Sequence, residues 1–215
     1  MKETIIRKLG NRYLLKERDM GELAHIHKFP YDFTCKAYDI DGVGNLFFID
    51  MKAMFGLMKM ETSVITPIEK DLDFCNLDIV EAMGNHTCMF EMYKTSLTEA
   101  DLSAYEDIKK RYASLPAYES SPRWYDELKL SSCISKKGKK ILGKAEKMME
   151  ECLDQYMVLL EKAPLCDKGR KNAANKVYVE RLLSEGGAAV DSMNKILGPE
   201  KTARLIRTFM YHTQD

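Results

Sequence analysis

The sequence predicts an α+β fold, a three-layer α/β/α sandwich with a central antiparallel sheet flanked by helices. Three observations carry this. Alternating apolar and polar runs are confined to one block, residues 33–95, with turns too short for the crossovers that parallel strands need. A helical stripe precedes the block. Apolar-faced helical segments follow it, so helices are available for both faces of the sheet.

Taken in order, residues 2–28 read as helix, with Ile5, Leu9, Tyr13 and Leu14 on one stripe. Gly10 and Gly21 weaken it and Pro30 ends it. His25 and His27 are two apart, face different ways on a helix, and so form no joint ligand set. T-C-K-A-Y-D-I-D, the turn G-V-G-N and L-F-F-I-D-M-K make a hairpin. Residues 57–66 continue as a third strand ended by Pro67, and the loop I-E-K-D-L-D-F leads to a strand bearing Asp78. Met83-Gly84-Asn85-His86 turns the chain into the last strand, T-C-M-F-E-M-Y-K-T. Thr98-Glu99-Ala100-Asp101 resembles a capping box, with Asp for the usual Glu, opening a helix that runs to Tyr112. After a loop bracketed by Pro116 and Pro122, W-Y-D-E-L-K-L-S-S-C-I-S is either one more strand or irregular. Residues 139–162 form a long helix, with Ala145, Met148, Met149, Cys152, Leu153 and Tyr156 among its apolar positions. Helices near 167–184, 188–197 and 199–211 complete the chain, broken at Gly186-Gly187 and Gly198-Pro199.

A length of 215 residues suits one domain, residues 1–215. Lys plus Arg equals Asp plus Glu at 33 each, so global charge predicts neither a nucleic-acid nor a membrane partner. Six dispersed cysteines form no C-x-x-C pair. With no signal peptide visible, they predict reduced thiols in a cytoplasm and no metal site. No run is long enough to span a bilayer, which predicts a soluble protein. No Walker loop, G-x-G-x-x-G, H-E-x-x-H or serine elbow occurs. Lys136, Lys137, Lys139, Lys140, Lys144 and Lys147 make the one marked basic cluster, either a solvated helix face or a surface for an acidic partner or phosphate. The 14 methionines are adaptable core filling, or the lining of a site for a large apolar ligand.

Asp78 is the candidate chemical group. In an extended chain Asn76, Asp78, Val80 and Ala82 point one way, and Leu77, Ile79 and Glu81 the other. A carboxylate beside Val80 and Ala82 is expected to be partly buried, which raises its pKa toward the range useful for proton transfer. The alternative is that Asp78 opens the strand and accepts a backbone N–H.

The run P-I-E-K-D-L-D-F-C-N-L-D-I-V resembles the signature of the ferredoxin-dependent bilin reductases, in which a proline-to-D-L-P loop leads into a D-[LI]-V strand. S-P-R-W-Y-D-E-L-K-L-S-S-C resembles that family's P-W-G-x-I-F-S-x-x-C segment. The C-terminal stretch from V-Y-V-E-R-L-L-S-E-G-G to L-I-R-T-F-M-Y resembles its closing helices. The resemblance covers residues 45–212. It implies an antiparallel sheet between helices, with a linear tetrapyrrole bound between the sheet and the C-terminal helices. Reduction would use single electrons from ferredoxin, with proton donors in the pocket and neither flavin nor metal.

Carried over residue by residue, Asp78 matches the family's proton-donating aspartate, and Asp50 falls near a pocket glutamate of the phycocyanobilin-forming branch. Thr62 falls where that branch has a histidine and cannot carry its charge. Gly186, with Glu185 beside it, falls where members have Asn or Asp. Val80 joins the substrate-binding set, and Lys136, Lys137, Lys139 and Lys140 become a docking face for ferredoxin. The expected function is reduction of a biliverdin-like bilin. A non-catalytic tetrapyrrole carrier or sensor on the same fold is the alternative, and an adaptor using the lysine cluster is the third reading.

Overall fold

A computed structural model of the chain describes residues 1–213. Eight strands form one antiparallel sheet: β1 (Leu15–Arg18), β2 (His25–Lys28), β3 (Tyr31–Ile40), β4 (Gly44–Ala53), β5 (Met58–Pro67), β6 (Phe74–Ala82), β7 (Asn85–Tyr93) and β8 (Ile134–Lys139). From β3 to β8 sequence neighbours are sheet neighbours, while β1 and β2 share the outer edge of β3. Helices α1 (Lys2–Gly10), α2 (Ala104–Arg111) and α3 (Leu142–Lys162) cover one face, where Ile5, Leu9, Met148 and Tyr156 meet Leu46, Phe48 and Leu77. Helices α4 (Lys168–Glu185), α5 (Ala188–Leu197) and α6 (Pro199–Arg204), the last continued by a π-wound turn Leu205–Met210, cover the other. There Tyr178, Leu182, Met193 and Phe209 meet Phe33, Phe47, Val64 and Phe74. This is the three-layer sandwich that the clustering of alternating runs predicts.

Two buried polar side chains fasten the second helical layer. Lys171 of α4 donates to Thr95 O at 2.8 Å and Asn175 Oδ1 at 3.1 Å. Asn45 of β4 donates to Phe209 O at 2.8 Å and Met210 O at 3.0 Å, satisfying carbonyls the last helix leaves open.

Three expectations need correction. The helix expected over 2–28 ends at Gly10, and β1, a 3-10 turn Gly21–Leu23 and β2 replace its remainder. Pairing L-K-E-R and H-I-H-K with β3 fills an edge that would otherwise be open. On a strand His25 and His27 share a face; His27 Nδ1 lies 3.8 Å from Asp32, and no group of three or more metal-capable side chains converges among the described residues. The capping box at Thr98 caps nothing: its hydroxyl donates to Asp71 Oδ2 at 2.7 Å, and α2 begins at Ala104. The helix expected from residue 139 begins at Leu142, because residues 134–139 extend the sheet as β8 and Lys140, at φ 57°, turns the chain between them. The lysine cluster is therefore split between an edge strand and α3, not gathered on one helix face.

Candidate functional site

The pleat of β6 sends Cys75, Leu77 and Ile79 toward α3 and leaves Asn76, Asp78 and Val80 on the face of the C-terminal helices. Asp78 is opposite Thr62 of β5 and Met89 of β7. The Thr62 hydroxyl donates a hydrogen bond to Asp78 Oδ1. Burial pushes the Asp78 carboxyl up to about 7; the Thr62 hydroxyl draws it back and the Glu91 carboxylate adds to the rise. Among the described residues no cation pairs with it, so near neutral pH the group is divided between acid and carboxylate and can give up a proton.

Around Asp78 the sheet face is incompletely covered. Met58, Met60, Thr62, Val80 and Met89 are all half-buried, forming a methionine-rich strip that runs toward the β4–β5 and β6–β7 turns. In the other direction the space beneath the helices is filled. Phe74 packs against Tyr178, Tyr211 and Tyr93 with ring centroids 4.8, 5.0 and 5.4 Å apart. The cavity expected between sheet and C-terminal helices is thus closed by rings at that level, and Asp78 lies beside them at the margin of the strip. A cavity of about 500 Å³ opens elsewhere, beside residues 96–103, and one of about 80 Å³ lies between β5, β6 and α3; Asp78 lines neither.

Polar groups border the ring cluster. The Tyr93 hydroxyl donates to Glu91 Oε2 at 2.7 Å, and Lys129 Nζ lies 2.9 Å from both Glu91 Oε1 and Asp126 Oδ1. Burial works against the Lys129 charge, but the two carboxylates outweigh it and its pKa rises. Burial pushes the Tyr211 hydroxyl up, while the Asn76 amide and the Tyr178 hydroxyl draw it back and the Asp78 carboxyl adds to the rise. Glu91, Tyr93, Tyr178 and Tyr211 were not expected from the sequence. Glu91 carried a signal, standing as a charge among the apolar residues of T-C-M-F-E-M-Y-K-T, whereas the tyrosines look like ordinary core.

The remaining sequence candidates separate. Val80 and Thr62 adjoin Asp78 on the same face. Asp50 does not: it alternates with Leu46 and Phe48 on the α1 face, where Lys2 Nζ meets its carboxylate at 2.7 Å. Glu185 is exposed and bound to Arg181 at 2.7 Å. Gly186 has φ 78°, accepts the Trp124 indole N–H at 2.8 Å, and leaves room for a neighbour, since a Cβ there would lie 2.6 Å from Asp191 Oδ1. Lys136 is buried with its Nζ donating to Leu115 O at 2.9 Å, so it leaves the docking face; Lys137 Nζ sits 4.9 Å over the Tyr118 ring, and Lys139 and Lys140 are exposed.

The antiparallel sheet and its two helical layers form an architecture found among solved structures. A solved structure of that architecture is phytochromobilin synthase from tomato in complex with biliverdin, to which this chain is similar with a TM-score of 0.75 at 10% sequence identity, over 99% of this chain and 82% of that one. At that identity the likeness is one of fold. No protein-family profile matches the chain, and no curated protein matches it in sequence.

Proposed function

We propose that this protein binds a linear tetrapyrrole against the Asp78 face of the sheet and reduces it with single electrons from ferredoxin, Asp78 being the proton donor. The observation that carries the reading is a carboxyl with a pKa of about 7, set on a half-open methionine-rich strip, in a fold shared with a protein solved with biliverdin bound. Reduction of one bilin double bond takes two electrons and two protons. Each ferredoxin supplies one electron. An electron added to the tetrapyrrole raises its basicity, and the neighbouring Asp78 carboxyl delivers one proton, solvent the other. No flavin or metal of the protein's own is invoked.

Thr62 and Val80 border the donor in this reading. At Gly186, where the family resemblance places an acid or amide, the carboxylate beside the turn is that of Asp191 from the first turn of α5. Glu185 and Asp50 lie outside the site. Lys137, Lys139 and Lys140 offer ferredoxin an edge of the sheet two strands from Asp78, roughly 10 Å across the ladder.

A carrier or sensor that binds without turnover is the second reading. It is favoured by Thr62, which supplies no charged partner to Asp78. Mixing the protein with biliverdin should shift the visible spectrum under either reading, and an unshifted spectrum sinks both. Adding reduced ferredoxin then decides: bleaching and a new absorption band indicate the reductase, and an unchanged bound spectrum the carrier.

A further inference from the structure

Five of the ten large hydrophobic side chains exposed among the described residues lie at one end of the sheet. They are Phe29 in the β2–β3 turn, Met54, Phe55 and Leu57 in the β4–β5 turn, and Met83 in the β6–β7 turn. The register brings these turns side by side, pairing Tyr31 with Ala53 and Met58 with Ala82. Backbone bonds join them: Met54 N–H donates to Pro30 O at 3.3 Å and Met83 N–H to Leu57 O at 3.4 Å. Phe29 and Phe55 meet edge to face at 5.9 Å, yet remain 73% and 92% exposed, and Met83 is 86% exposed.

The backbone makes this arrangement harder to regard as incidental. Met54, Phe55 and Met83 have φ of 51°, 57° and 49°, the left-handed region that bulky residues rarely adopt. Large apolar residues occupy tip positions that glycine or asparagine fills with less strain, and they gain no burial within the chain for it.

The charges beside the tips have one sign to spare. Lys52 precedes the β4–β5 turn, and Lys139 and Lys140 end β8 next to the β6–β7 turn, where Asn85 pairs with Lys139. None of the three has a carboxylate partner among the described residues. Of the acids at this end, Glu81 lies 3.2 Å from Lys59, and Asp32, across the ladder from Lys52, lies 3.8 Å from His27, an ion pair only when that imidazole is protonated.

We propose that this end of the sheet docks on a lipid surface bearing anionic headgroups. The apolar tips enter the interface while Lys52, Lys139 and Lys140 meet the headgroups. Separate tips on parallel turns suit a fluid surface, which closes around each, better than a rigid partner, which would need a matching socket for every one. The balanced total charge predicts no membrane partner, but the attraction here is local. No described helix is long and apolar enough to cross a membrane, so the association is peripheral. It rests on neither the bilin reading nor the electron donor.

The test is sedimentation of the full chain with phosphatidylcholine vesicles, with and without phosphatidylglycerol. Binding is expected to the mixed vesicles and not to phosphatidylcholine alone. It should weaken about fivefold in Lys52→Gln and about tenfold or more in the double variant Phe55→Ser, Met83→Ser. These side chains are exposed, so the double variant should fold, which circular dichroism and thermal unfolding check. Absence of binding to both vesicle types overturns the proposal, as does parental binding by the folded double variant. A parent that elutes as a dimer and a double variant that elutes as a monomer would overturn it too, assigning the tips to a second copy of the chain.

Discussion

Across the ladder from Asp78 stands a threonine, and a hydroxyl is a weak partner for a carboxylate beside a cation. It offers one hydrogen bond to the ionised form and no charge, so desolvation wins and the pKa settles near 7. Linkage fixes the sign of the consequence. Between the ordinary carboxylate range and pH 7 the folded protein holds a proton that the unfolded chain has lost, so the contribution to stability is complete in acid and disappears as pH rises through about 7. The melting temperature of the parent should therefore fall from pH 5 to pH 8 more than that of Asp78→Asn, whose amide does not titrate; parallel melting curves across that range would refute the burial argument. The same variant should keep the bilin-bound spectrum and reduce the ligand about 10²–10⁴-fold more slowly, since an amide cannot supply a carboxylic proton. Thr62→Val removes the one bond that favours the carboxylate. It should carry the alkaline limb of the pH–rate profile upward by about one pH unit, and a limb that stays in place would mean that another group donates the proton.

At the scale of elements, β8 is the one on which the proposed delivery of electrons by ferredoxin depends. Its lysines lie on a sheet edge, where they also discourage unwanted strand pairing. Reversing Lys139 and Lys140 to Glu should lower the rate of ferredoxin association and flatten its salt dependence, because steering by a local patch is screened over about 8 Å at physiological salt. The bilin spectrum should not change; equal turnover of variant and parent at low salt would rule these lysines out as the ferredoxin docking site. The meander β3–β7 was legible because its strands are runs of apolar, β-branched and aromatic residues and its turns carry Gly, Asn or Pro, so local signals sufficed. β1, β2 and β8 were not, since four to six residues rich in charge acquire strand character from their partners and not from propensity. The candidate site divides the same way. Asp78 stood out as an acid in an apolar strand, and Thr62 and Val80 followed by alternation and resemblance. Asp50 misled because a strand's two faces look alike until one knows which helix lies over which, and Lys2 of α1 decides that.

Considered whole, the molecule is two cores on one sheet, and they differ in completeness. On the α3 side the layer is anchored by long apolar side chains from a 21-residue helix, with Met148, Met149, Cys152, Leu153, Tyr156 and Leu160 fully buried. On the other side the covering helices are shorter or interrupted: α5 is bounded by Gly187 and Gly198, and α6 passes into a π-wound turn. The methionine strip beyond them stays half-covered. A layer assembled from short, broken pieces opens at lower free energy than one carried by a single long helix, and a ligand held beneath it should add protection there. Amide hydrogen exchange can read this asymmetry. Without ligand, α5 and α6 should exchange faster than the centre of α3. With biliverdin bound, exchange should slow in α5, α6 and the strands β5–β7 around Asp78, while α3, already close to the global limit, should hardly change. Protection gained on the α3 side, or beside the cavity at residues 96–103, would place the tetrapyrrole away from Asp78 and remove the aspartate from the chemistry.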